Sequence, residues 1–95
     1  MSTRSRFIRK EILRVLEYSG KQGASIRLLE ASLADAGEST PGAEIEGHLR
    51  YLAEKDYVTV KETNHQVFGP TIVAYITAHG TDLLEGNIDK DPGIL

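Results

Sequence analysis

The stretch AEIEGHLRYLAEKDYV, Ala43 to Val58, decides how the rest of the chain is read. Ile45, Leu49, Leu52 and Ala53 recur at the spacing of a helix with one apolar face. The period changes after Asp56. From Tyr57 to Glu62 the chain alternates, with Val58 and Val60 on one side and Thr59 and Lys61 on the other, which is a strand signal. Projection of the helix at its natural pitch puts Ala43, Gly47, Arg50 and Glu54 at the centre of the outward face. Glu44, Glu46, Tyr51 and Lys55 flank them, and His48 falls at the edge of the inner face, where a packing role is expected.

Working upstream, Thr40 is expected to cap this third helix and Pro41 to take its first position, where no N–H is needed. A second helix is expected from Ile26 to Ala36, capped by Ser25 and closed by Gly37, with Ile26, Leu28, Leu29 and Leu33 inward. Gly20 to Ala24 reads as a loop. The first helix is expected over Arg6 to Ser19. Its apolar residues Phe7, Ile8, Ile12, Leu13, Val15 and Leu16 cover an arc of roughly 240°, far wider than the ~100° stripe of a surface helix. Such a helix needs cover on two sides, from a C-terminal helix or from a second subunit. The narrow polar strip left over carries Arg6, Lys10 and Arg14.

Downstream, Thr63 to Pro70 reads as a long turn, with Val67 and Phe68 packing beneath it. Thr71 to Ile76 is the second strand of a hairpin. Thr77 caps a short helix, Ala78 to Glu85, which Gly86 ends. The expected layout is therefore one domain over 6–86, a flexible N-terminal arm over 1–5 and an irregular tail over 87–95.

The chain has 95 residues, net charge -3, 40% hydrophobic and 26% charged residues, and no cysteine. That is the composition of an ordinary globular domain. No run approaches the ~18 apolar residues of a membrane span. MSTRSRFIRKE enters an amphipathic pattern at once, without the apolar stretch of a leader, so a cytoplasmic location is expected. The absence of cysteine removes disulfides and thiolate metal sites. His48, His65 and His79 form no metal-binding pair, and no nucleophile or phosphate-loop motif is present. No metal, cofactor or enzymatic activity is expected.

Four pieces of sequence carry a resemblance: ILRVL in the first helix, SIRLLEASLADAG in the second, IEGHLRYLAEKDYVTV, and AYITAHGTDLL. Together they resemble the winged helix-turn-helix family over residues 6–86. This implies an α+β, mostly helical fold, with three helices, a β-hairpin wing and a short C-terminal helix. The I-T-x-x-G-x-x-L signature resembles the junction between the last strand and the following helix of many winged-helix regulators. The chain is also similar to small, ArsR-like winged-helix proteins of Mu-like prophages, which close on a Pro/Gly-containing tail like DKDPGIL here. Two features depart from the family. Its metal-sensing branch uses Cys/His clusters, and this chain has no cysteine. Its wings often carry basic tips, and residues 63–70 hold no Lys or Arg.

The resemblance implies double-stranded DNA as partner, with the third helix in the major groove and the wing on the backbone. On that reading Glu44, Arg50 and Tyr51 read or position in the groove. Arg4, Arg6 and Arg9 follow phosphate as an arm, and Lys61 and His65 contribute from the wing. Charge placement is equivocal. Arg4, Arg6, Arg9, Lys10, Arg14, Lys21 and Arg27 face only Glu11 and Glu17 in the first 27 residues, whereas 28–47 hold five carboxylates and no cation. A net-acidic third helix suits a polyanion poorly. The alternative is a protein–protein module on the same scaffold, with the third helix binding a basic protein partner. A homodimer through the first helix suits either reading.

Overall fold

The computed structural model describes residues 2–67 and 69–94, with His65 through its backbone only. The expectations for Met1, Phe68, Leu95 and the His65 side chain lie outside the described residues.

Helix α1 spans Thr3–Ser19. Ser2 caps it by accepting the Ser5 amide at 3.1 Å. Residues 3–5, expected as an arm, are therefore the first turn of the helix. A 3₁₀ turn, Gly20–Gln22, leads to a two-residue strand β1, Ala24–Ser25. That strand falls where a loop is expected, because two residues are too few to show a period. Helix α2 is Ile26–Asp35, with the Ser25 hydroxyl accepting the Leu28 amide at 3.2 Å, as its sequence predicts. Helix α3 is Gly42–Glu54. Its cap is Pro41, one residue later than expected, and the Thr40 hydroxyl donates instead to the Glu38 carbonyl. Asp56 closes α3 in the left-handed region at φ 65, with the Tyr57 amide reaching back to the Leu52 carbonyl.

Strands β2, Val58–His65, and β3, Gly69–Ile76, pair antiparallel from Val58↔Ile76 to His65↔Gly69. The wing is thus longer, and its turn shorter, than the turn-forming residues 63–70 suggest. Thr63, Asn64, Gly69 and Pro70 all enter the ladder. β1 adds to the free edge of β3 through Ala24↔Ala74, giving the order β1-β3-β2. Helix α4 is Ala78–Glu85.

The last junction explains the I-T-x-x-G-x-x-L signature. Thr77 accepts the Gly80 amide at 3.1 Å while its hydroxyl donates to the Asp56 carbonyl at 2.6 Å. The residue at 80 must be glycine, since a Cβ there would stand 2.3 Å from the Tyr57 carbonyl oxygen. Leu83 then drops into the core.

That core is built from Ile8, Ile12, Leu13 and Leu16 of α1, Leu29 and Leu33 of α2, Ile45, Leu49 and Leu52 of α3, with Tyr57, Val58, Ala74, Leu83 and Ile94. α1 packs against α2, α3, α4 and β3. The cover demanded by its wide arc therefore comes from within the chain and requires no second subunit. Phe7, 39% exposed, is the arc's surface member. Leu28, expected inward, is 46% exposed because the buried face of α2 is centred on Leu29 and Leu33, and Leu28 projects about 100° away from Leu29. The tail over 87–94 is irregular in backbone yet packed: Ile94 is fully buried and Asp91 nearly so.

Candidate nucleic-acid interface

Helix α3 presents two polar surfaces with different fates. One is the stripe Glu44, His48, Tyr51 and Lys55, which faces α1 and the tail. Arg4 reaches this stripe from the first turn of α1. Its Nε donates to Glu38 Oε1 at 2.6 Å and its Nη1 donates to Glu44 Oε2. Glu44 and then Glu38 raise the Arg4 pKa, and Arg4 holds the Glu44 carboxyl below its usual range. One turn on, Arg9 Nε donates to His48 Nδ1 at 3.1 Å, so that nitrogen is unprotonated. His48 Nε2, 3.4 Å from Glu44 Oε2, then carries the hydrogen. Burial is the main force pushing the His48 pKa down. The Arg9 charge adds to it, and Glu44 opposes it.

The same stripe continues to the tail. The Arg9 guanidinium lies 3.6 Å from the Tyr51 ring centroid and donates through Nη1 to the Gly93 carbonyl at 3.2 Å. Lys55 donates to Asp91 Oδ2 at 2.8 Å, the Tyr57 hydroxyl donates to the same oxygen at 2.9 Å, and the Gly93 amide donates to Oδ1 at 2.8 Å. Burial alone would raise the Asp91 pKa, but Lys55, the Gly93 amide and Tyr57 together lower it. Burial and then Asp91 push the Tyr57 hydroxyl up, and Lys55 is raised chiefly by Asp91.

The second surface is the ridge of Ala43, Gly47, Arg50 and Glu54, all exposed, as the helical projection predicts. A Cβ at Gly47 would meet nothing within 4 Å. Arg50 has a loose contact with Glu46, at 4.0 Å and with 71% of its side chain exposed. Beside the ridge stands the hairpin, with Lys61 exposed on β2 and its Nζ 5.3 Å from the Tyr75 ring centroid. Glu46, Arg50, Ala53, Val60 and Ile72 line a shallow groove between ridge and wing. Val67 is exposed at the tip rather than packed beneath it.

The expected site residues therefore separate. Arg50 and Lys61 stand on the open α3–wing side. Arg4, Arg9, Glu44 and Tyr51 are engaged in the network on the α1 and tail flank, so Arg4 and Arg9 do not extend as an arm. Arg6 is half-buried, with its Nε enclosed and without a hydrogen-bond partner. Lys10 and Arg14 face α4, lining a cleft with Leu83, Leu84 and Lys90. The other side chains of the network, Glu38, His48, Lys55, Tyr57 and Asp91, are not among the site residues that the sequence suggests. The spacing of 44, 48, 51 and 55 along one helix stripe was the available signal for two of them.

No family model matches the chain, and no curated protein matches it in sequence. Among solved structures, a Thermoplasma acidophilum protein proposed to be a transcriptional regulator superposes with a TM-score of 0.68. The match covers 83% of this chain and 72% of the other, at 23% identity. The fold is a winged helix-turn-helix. Among the described residues no cluster suited to a metal ion occurs, and no helix is long and apolar enough to cross a membrane.

Proposed function

We propose that this winged-helix protein is a transcriptional regulator that binds duplex DNA with the ridge of α3 and the wing. The observation that carries the reading is the unobstructed α3 ridge. Its N-terminal half is made of Ala43 and Gly47, so a groove wall can approach the helix backbone closely, and Arg50 follows one turn later. In helix-turn-helix proteins the N-terminal part of this helix contacts base edges. A bidentate Arg50–guanine contact is worth ~1–3 kcal/mol of discrimination. The exposed Arg50–Glu46 contact it would replace contributes only about 0.3–0.5 kcal/mol. Lys61 supplies a phosphate contact, and His65 belongs to the same strand. The narrower resemblance to prophage-encoded proteins rests on the tail DKDPGIL and belongs with this proposal.

The test is selection from a randomised duplex pool at low salt. Enrichment of a motif that loses one guanine preference in Arg50→Ala supports the reading. Failure to enrich any sequence overturns it. A second reading has its own observation: Arg4, Arg9 and Lys55 are all held within the chain, leaving Glu46, Glu54 and Glu62 around the ridge. On that reading α3 binds a basic protein partner, and Arg50→Glu strengthens rather than abolishes the interaction.

A further inference from the structure

The surface of α1 beside α2 and α4 combines exposed apolar side chains with cationic ones. Tyr18, at the end of α1, is 95% exposed, and Leu28 of α2 is 46% exposed. With Val15, Gln22, Ser32 and Arg14 they line a hollow of about 690 Å³ between α1 and α2. That volume lies within the roughly 300–1,000 Å³ of sites that accept a ligand or a set of side chains. Arg14 is also the wall of the neighbouring cleft towards α4, where Lys10, Lys90 and Leu84 stand. Lys10, Arg14 and Tyr18 follow at four-residue intervals and so share one side of α1. Lys21 is exposed just beyond, in the 3₁₀ turn.

We propose that this α1 surface, built on Tyr18, Leu28, Arg14, Lys10 and Lys90, docks a short acidic segment of a partner protein that also presents apolar side chains. The charge argument is specific to the place. In a chain of net charge -3, the α4-side cleft is lined by three cations, Lys10, Arg14 and Lys90, against one carboxylate, Glu17. Glu11 satisfies only part of Arg14, at 3.3 Å and with 57% of the Arg14 side chain exposed. Nucleic acid fits less well. The cations of the α4-side cleft stand around Leu83 and Leu84 rather than in the continuous row that a phosphate backbone follows. The cations bracket apolar hollows, which suits alternating carboxylate and leucine-type side chains, as in helix-in-groove recognition. None of the residues lining the two hollows belongs to α3 or the wing, so on the proposed reading of the ridge a partner held here and DNA use different residues.

The experiment uses the full chain and a fluorescein-labelled peptide of about a dozen residues that alternates Glu or Asp with Leu and Phe, an amphipathic probe of the helix-in-groove kind. A matched peptide with Lys in place of every acid is the control. Binding of the acidic peptide alone is expected. It should weaken at least tenfold in Tyr18→Ala and in Arg14→Ala, both exposed positions whose thermal melts should match the wild type. Absence of binding, or binding indifferent to both variants, overturns the proposal. Two further outcomes also overturn it by naming another occupant. One is a dimer in light scattering that Tyr18→Ala dissolves. The other is duplex DNA binding that Lys10→Ala and Arg14→Ala abolish while Arg50→Ala leaves it intact. Loss of DNA binding in Arg50→Ala alone concerns the ridge and leaves this surface untouched.

Discussion

Two surfaces of α3, offset by a single residue, behave oppositely. The stripe Glu44–His48–Tyr51–Lys55 is tied to α1 and the tail by Arg4, Arg9 and Asp91. The ridge Ala43–Gly47–Arg50–Glu54 touches little. Both are polar, and both contain a cation and a glutamate. What separates them is partners brought from far along the chain. Those long-range contacts tie the stripe into the fold and leave the ridge open, so on the proposed reading recognition falls to the ridge. Of the acidic residues of α3, Glu44 is engaged by Arg4 and His48, while Glu46 and Glu54 stay on the open side.

The largest effect should come from removing the anchor of the locked side. Ile94→Ala empties a fully buried position and should cost about 2–5 kcal/mol. Chemical denaturation would measure this, and a loss below about 1 kcal/mol would mean that the tail is not part of the core. Next is Asp91→Asn, which keeps the shape but weakens the acceptor of Lys55 and Tyr57. A loss of about 1–3 kcal/mol at neutral pH is expected.

Acid should loosen the same side in two steps. Asp91 has its carboxyl pKa lowered in the fold. Its contribution is therefore present above its ordinary value of 3.8 and lost as pH falls through the folded value. Asp91→Asn should flatten that limb. His48 is also lowered, from 6.5. Below that pH the unfolded chain binds a proton that the folded chain resists, so stability falls with falling pH there too. In the fold a proton on Nδ1 would oppose the Arg9 N–H. His48→Gln should remove the upper limb in melts recorded across the pH range and leave the lower one. A stability profile unchanged by His48→Gln would break the assignment of Nδ1 as acceptor.

The smallest effect belongs to the ridge and has the opposite sign. Gly47→Ala puts a methyl group into open space and should stabilise the helix by about 0.5–1 kcal/mol. Thermal unfolding would read it, and destabilisation would show that the ridge is packed after all. A simultaneous drop in duplex affinity would sharpen the comparison, since only a close groove wall would notice the methyl group.

Legibility in the sequence followed the range of each interaction. The inward set Ile45, Leu49 and Leu52 and the outward set Ala43, Gly47, Arg50 and Glu54 are local periodicities, and the structure keeps them. So are the caps at Ser25 and Thr77. The Arg50–Glu46 contact is four residues apart and was visible for the same reason. Arg4–Glu44 spans 40 residues, Arg9–Gly93 spans 84 and Lys55–Asp91 spans 36. No spacing rule reaches that far, so Arg4 and Arg9 read as a free arm when they are tertiary clamps. β1 was invisible because its two residues are strand only through their pairing with β3. The tail read as irregular because its order comes from Asp91 and Ile94 meeting partners on other elements.

The most direct test of the account is the salt dependence of binding to a mixed-sequence duplex, measured by fluorescence anisotropy for wild type, Arg4→Ala and Lys61→Ala. With Arg50 on a base edge and Lys61 on phosphate, log K should fall only shallowly against log salt, with a slope of about -1, at roughly -0.9 per phosphate contact. Arg4→Ala should leave that slope unchanged, and Lys61→Ala should reduce it by about one contact. A slope of about -4 or steeper that flattens in Arg4→Ala would contradict the account, because it would make the locked flank the DNA surface.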